Sequence, residues 1–221
     1  MIIAVIVIIA AASSSGSGEQ HGDYNNLFAG YSSSAHDAKK RSIYEDAEVR
    51  EAGKEGEEIV ANVLRGVCRD GDMYWRNVNI ECDGRKSEID HLILTEYGLF
   101  AIESKNYSAK GEVYGEDGDH EWIMYKPEYG EKKPQTNPVK QAQRQAGILG
   151  KILKRYGAGV YVNPYAALVY DNYKGNSEKV LRNRRQADRA IHTGYNDKPL
   201  PRDRYEKVAS VLTNNLGERE F

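Results

Sequence analysis

Three side chains in one short stretch have the types needed for phosphate chemistry: Asp90, Glu103 and Lys105. Two carboxylates a few ångströms apart repel each other unless a cation lies between them, and hard oxygen ligands suit Mg²⁺ or Mn²⁺. An amine beside them can orient a water or offset charge on a phosphate. The competing reading is an exposed sheet face with a surface ion pair, since strands of alternating charge are common.

The elements that must position these groups are two strands. Residues 87–95 are rich in β-branched and apolar side chains, Glu96-Tyr97-Gly98 supplies a turn, and residues 99–105 return as a second strand. Side chains alternate faces along a strand, so Glu103 and Lys105 project from one side. If Thr95 and Gly98 close a two-residue loop, Asp90 falls opposite Glu103 on that side. A loop at Tyr97-Gly98 sets Asp90 opposite Lys105, and a three-residue loop without a bulge breaks the arrangement. Ile89, Leu92, Ile93, Leu94, Leu99, Phe100 and Ile102 mark the pair as central in a sheet. Charged groups there are costly without a partner or a role.

At 221 residues the chain holds one ordinary domain plus appendages. A formal net charge of −2 gives no global drive toward nucleic acid, so such affinity must come from a local basic surface. Cys68 and Cys82 are the only cysteines. Without Cys-x-x-Cys or a histidine cluster, neither a zinc site nor a disulfide framework is expected, although a single bridge is conceivable in an exported domain.

Residues 1–18 open with a run of Ile, Val and Ala, and the first charged side chain is Glu19. The strongly apolar part spans about 17 Å as a helix, roughly half a bilayer core. A short membrane anchor is the favoured reading, with a cleaved signal as the alternative, since Ala10-Ala11-Ala12 suits cleavage but a basic leader is missing. Lys39-Lys40-Arg41 favours a cytoplasmic body. Residues 19–42, rich in Ser and Gly, read as a flexible linker, and residues 43–221 as the folded domain.

Within that domain, residues 53–64 read as a helix with Ile59, Val60, Val63 and Leu64 in its apolar stripe. Gly53 and Gly56 near its start suggest close packing or close approach of a ligand. Glu57 lies one turn before the stripe, where a helix N-terminus also favours an acid. Residues 73–80 read as a strand leading into a polar loop over residues 81–86. Residues 111–114 and 121–125 read as two short strands about an acidic turn. Asn137-Pro138 announces a helix with Asn as cap and Ala142, Ala146, Leu149 and Leu153 buried. Gln141 and Gln145 sit on its flank, either as substrate-binding amides reaching a phosphate or base edge or as ordinary surface. Residues 160–162 and 166–170 read as a buried strand interrupted at Asn163-Pro164. Residues 174–189 are locally basic, either a phosphate-facing patch or a solvated loop. Pro201 starts a last helix with Tyr205, Val208, Ala209, Val211 and Leu212 on its apolar face. No internal repeat and no glycine-rich phosphate loop occurs.

The order Gly53-x-x-Gly56-Glu57, Glu88-Ile89-Asp90-His91, residues 98–106 and Asn137-Pro138-x-x-Gln141 resembles the nuclease-related domain (NERD) family. That family is similar to the PD-(D/E)xK restriction-endonuclease-like superfamily, and the resemblance covers about residues 52–153. It implies an α/β fold with a restriction-endonuclease-like core, a central mixed β-sheet flanked by helices. It implies Asp90 and Glu103 as metal-binding carboxylates, Lys105 as the catalytic lysine, Glu57 as a helix glutamate near the metal, and Gln141 as the helical glutamine. Ile89 stands where the superfamily pattern has Pro, and Ser104, between Glu103 and Lys105, faces away from the site. The implied activity is Mg²⁺- or Mn²⁺-dependent phosphodiester hydrolysis, with DNA as the expected partner and a homodimer as the expected assembly on duplexes. The alternative is a nuclease-like module that holds nucleic acid or a protein without cutting.

Overall fold

The computed structural model describes residues 33–107, 109–193, 198–216 and 219–221. Residues 1–32, which include the apolar run and most of the expected linker, lie outside the described residues.

The first helix, α1 (Ser33–Arg65), is longer at its start than the twelve-residue segment read from the sequence. It begins at Ser33, inside the stretch read as linker, and no Gly or Pro interrupts the chain from Ser33 to Ala52. Two strands follow, β1 (Met73–Cys82) and β2 (Arg85–Thr95). The expected polar loop between them is instead a two-residue turn, with Cys82 paired to Arg85. Asp83 and Gly84 both take positive φ (54° and 73°), the conformation that matches hairpin turns to strand twist. An Asp-Gly pair is a strong hairpin signal, and here it carries both strands past the expected boundary.

Strand β3 (Gly98–Lys105) returns beside β2, and a smaller antiparallel sheet comes next. It contains β4 (Glu112–Tyr114), β5 (Glu121–Lys126) and β6 (Glu131–Thr136). The last has the sequence Glu-Lys-Lys-Pro-Gln-Thr, which lacks apolar alternation, so pairing with β5 rather than burial makes it a strand. Helix α2 (Pro138–Arg155) then begins as the sequence indicates. Asn137 Oδ1 accepts the backbone N–H groups of Val139 and Lys140 at 3.0 and 3.1 Å, satisfying donors that the first turn leaves open.

Strand β7 (Val162–Leu168) runs unbroken through Asn163-Pro164, against the expected interruption. The Ala166 N–H points to Lys179 O, on the side of β8 (Val180–Leu181). Pro164, two residues earlier, turns its nitrogen the same way, ahead of the first pair between β7 and β8 at Ala166 and Val180. The missing donor therefore costs no ladder bond. Helices α3 (Arg184–Thr193) and α4 (Arg202–Asn215) complete the chain.

The main sheet has the order β1-β2-β3-β7-β8, antiparallel at the first two junctions and parallel at the last two. One face packs Leu92, Leu94, Leu99 and Ala101 against Leu149, Ile152 and Leu153 of α2 and Val208 and Leu212 of α4. The other packs Tyr74, Ile93, Phe100 and Ile102 against Val60 and Leu64 of α1 and Ala187 and Ile191 of α3. Each fully buried aliphatic or aromatic side chain contributes about 1.5–3 kcal/mol, so these layers fix β3 firmly between two helical coats. This is the mixed sheet flanked by helices that the family resemblance implies. Both cysteines, Cys68 and Cys82, are free thiols. Among the described residues no helix is long and apolar enough to cross a membrane.

Candidate active site at the end of the central hairpin

Strands β2 and β3 close through Glu96-Tyr97, with Thr95 paired to Gly98. Of the registers the sequence allows, this is the one that sets Asp90 level with Glu103. The regular ladder between the two strands runs from Thr95 and Gly98 to His91 and Ile102, and Asp90 lies just beyond it.

At that point the sheet departs from simple alternation. Asn77, level with Asp90 across β1 and β2, is left-handed (φ 51°), and the pairing skips from Arg76–His91 to Val78–Ile89. On either side of the skip the face changes parity. Trp75, Val78, Ile80 and Cys82 all enter the same core layer, as do Leu94, Leu92 and Ile89. The Asp90 carboxylate uses the gap: its Oδ2 accepts the backbone N–H of Ser104 at 2.8 Å. A side chain of β2 thus satisfies a β3 donor beyond the last regular pair.

Glu103 is almost completely buried, yet each of its oxygens has a partner. Lys105 Nζ lies 2.6 Å from Oε1, and Gln145 Nε2 donates to Oε2 at 2.7 Å and to the carbonyl of Glu88 at 2.6 Å. Gln145 is itself fully buried, and its Oε1 is shielded from solvent with no hydrogen-bond partner. The sequence alone sets Gln145 on the helix flank, either as a substrate-binding amide or as ordinary surface. The structure turns it inward, because the buried stripe of α2 also takes in Val139, Ile148 and Ile152 and so reaches further round the helix. Gln141, one turn earlier, stays half-buried.

Burial and then the charge of Glu103 push the Asp90 carboxyl up to about 7; the Ser104 N–H and Lys105 act in the opposite direction. Glu57, on α1, is also raised, first by burial and next by the charge of Glu88, with Glu103 a further contributor. Glu57 therefore borders the acidic pair. It does not complete a cluster, for no three His, Cys, Asp or Glu side chains among the described residues are grouped closely enough to hold a metal ion. The donors on this face of the hairpin, the Asp90 and Glu103 carboxylates, are oxygen ligands of the kind hard divalent cations take. Asp90 and Glu103 fit such an ion.

Gly56 explains how α1 reaches this end of the sheet. A Cβ there would sit 2.5 Å from Cβ of Asn106, the residue after β3, while Asn106 Nδ2 donates to Ala52 O at 2.7 Å. At Gly53 an added Cβ meets nothing within 4 Å. Of the two glycines, only Gly56 serves close packing.

The sequence reading missed a buried polar chain on the opposite face. His91 Nδ1 lies 2.7 Å from the Tyr74 hydroxyl, and its Nε2 lies 2.6 Å from Ser104 Oγ. Burial pulls the imidazole down to about 3, so it stands neutral between two hydroxyls. The sequence signal was the pair His91 and Ser104 on facing strands, polar residues inside an apolar run. Arg76 was also missed; it pairs with Glu58 at 2.7 Å, and its charge opposes the burial and the Glu88 charge that raise the Glu57 carboxyl. Within the basic stretch, Arg182 stacks on Tyr173 and Arg184 donates to the carbonyl of Gly66, so these two serve structure.

The chain belongs to the nuclease-related domain (NERD) family, whose match spans residues 52–169, within the restriction-endonuclease-like fold. An uncharacterized protein of Bacillus anthracis is 32% identical over 73 residues, which cover 33% of this chain and 34% of that protein. The chain thus matches about a third of the length of this curated relative. No solved structure matches the chain significantly.

Proposed function

We propose that this chain is a metal-dependent nuclease that hydrolyses phosphodiester bonds of DNA at Asp90, Glu103 and Lys105. The observation that carries the reading is a lysine 2.6 Å from a buried glutamate, beside a second acid level with it across the hairpin. Asp90 and Glu103 would hold Mg²⁺ or Mn²⁺, which when bound polarises a phosphate and makes a water more acidic. The chain's own groups do the rest. Gln145 fixes the Glu103 carboxylate by its amide, and the Ser104 N–H fixes Asp90. Lys105, partly exposed and held beside Glu103, would offset charge growing on the phosphoryl oxygens of a phosphate bound there. Glu57 acts at the margin by orienting water. Products carry 5′-phosphate and 3′-hydroxyl ends on this reading.

The second reading, a module that binds nucleic acid or a protein without cutting, is favoured by one observation. Lys105 already neutralises Glu103, and Glu57 adds no third ligand. Incubating plasmid with the protein in Mg²⁺ or in EDTA separates the two. Nicking in Mg²⁺ alone supports the nuclease, and a mobility shift with intact plasmid in both supports the binding module. The apolar residues 1–12 support a tether holding this domain at the cytoplasmic face of a membrane, and action on duplex DNA favours a homodimer.

A further inference from the structure

On the sheet face away from Glu103 and Lys105, a half-open cavity of about 430 Å³ lies between β7, the segment entering β8, and α3. Its volume is in the range of small-molecule sites. Lys179, just before β8, and the exposed Arg189 of α3 both line it, with Glu178 the acidic member of the wall. Neither cation has a carboxylate within ion-pair distance among the described residues. Nearby arginines are already occupied, Arg69 with Asp188 and Arg182 with Asp171. Lys179 is held 4.7 Å above the centre of the Tyr165 ring, which aims the ammonium without neutralising it. Gln186 uses its carbonyl oxygen on the Arg182 N–H, leaving its amide N–H groups as further donors. Donors therefore outnumber acceptors, while Phe100 and Tyr165 supply an apolar wall.

We infer that this cavity binds a phosphate monoester of nucleotide size, its phosphate between Lys179 and Arg189 and its organic part along Phe100 and Tyr165. Two cations match a doubly charged phosphate, and the volume leaves room beyond the anion for an organic substituent. The site is independent of the proposed nuclease centre, since β3 presents Phe100 to one face and Glu103 to the other.

Isothermal titration of the full chain in EDTA with adenosine 5′-monophosphate, and separately with inorganic phosphate, tests this. The expected result is saturable binding of the nucleotide with a dissociation constant below about 1 mM, and weaker binding of inorganic phosphate. Lys179→Gln and Arg189→Gln should each weaken nucleotide binding at least ~10-fold, a loss of one charged contact. Asp90→Asn should leave it unchanged. No saturable binding, or binding indifferent to both charge removals in variants with unaltered melting, overturns the site. Equal affinity for the nucleotide and inorganic phosphate overturns the claim for an organic substituent.

Discussion

Asp90 of β2 accepts the backbone N–H of Ser104 in β3 at 2.8 Å, so a carboxylate stands where a strand's own carbonyl would ordinarily pair. The contact orders the acid without neutralising it. It falls level with Asn77, where the pairing of β1 with β2 skips, and just beyond the last regular pair of β2 with β3.

The raised carboxyl of Asp90 makes a signed prediction for metal-free protein. Its folded value is about 7 against an ordinary 3.8, so the native state binds the proton more tightly than the unfolded chain. The stabilisation is complete below about 4 and is lost as pH rises through about 7. Asp90→Asn keeps an acceptor for Ser104 and cannot ionise. Its melting temperature in EDTA should exceed that of the parent above pH 7 by a few degrees, with the gap narrowing toward pH 4. Thermal melts across this range check it, and a gap that widens on acidification contradicts it.

Metal addition should reverse that order. Mg²⁺ binding only to the folded state raises stability with its concentration, and it requires both acids. The parent protein should gain stability in Mg²⁺ while Asp90→Asn and Glu103→Gln gain little. Cleavage by either variant should fall at least ~100-fold. Calorimetric scans with Mg²⁺ and with EDTA, beside plasmid nicking, read both effects.

Lys105 and Glu103 should separate stability from activity. Lys105→Met leaves Glu103 buried without its cation and should cost about 1–4 kcal/mol, less than a fully buried pair because Lys105 is partly exposed. Adding Glu103→Gln removes the stranded charge and should restore most of that loss. Neither protein should cut DNA. Urea unfolding of the single and double variants, with nuclease assays alongside, decides this; a double variant less stable than Lys105→Met would sink the pairing argument.

On the other face, Ser104→Ala strands a nitrogen of His91 in the core and should cost about 1–3 kcal/mol. His91 is held at about 3 against an ordinary 6.5, so its contribution is present above 6.5 and is lost as pH falls toward 3. Replacing His91 with Gln should flatten the acid side of the parent's stability profile. An unchanged acid limb in that variant argues against the neutral imidazole.

Gly56→Ala should push α1 from Asn106 and weaken both folding and cleavage, whereas Gly53→Ala, with open space around it, should be neutral or slightly stabilising. A pair of melts distinguishes the two positions.

Local chemistry made much of this legible in the chain. The run around Asp90 and Glu103 announced a central hairpin, and Asn137-Pro138 announced the cap of α2, because both signals are carried by neighbours in sequence. The Asp83-Gly84 turn is equally local, but the polar residues around it outweigh the turn chemistry and predict a loop. Strand β6 and the continuity of β7 through Pro164 were not legible. The first is a strand by pairing rather than by apolar pattern, and the second depends on where β8 begins beside it.

The residue types that could hold a cation and face a phosphate, and their order along two strands, belong to the sequence, because composition and alternation survive without a fold. Which hairpin register holds, whether Gln145 faces solvent or Glu103, and how Asp90 comes to sit beyond the ladder were decided only in three dimensions. Each depends on contacts between residues far apart in the chain, such as Gln145 with Glu103, and no local preference encodes a partner 42 positions away.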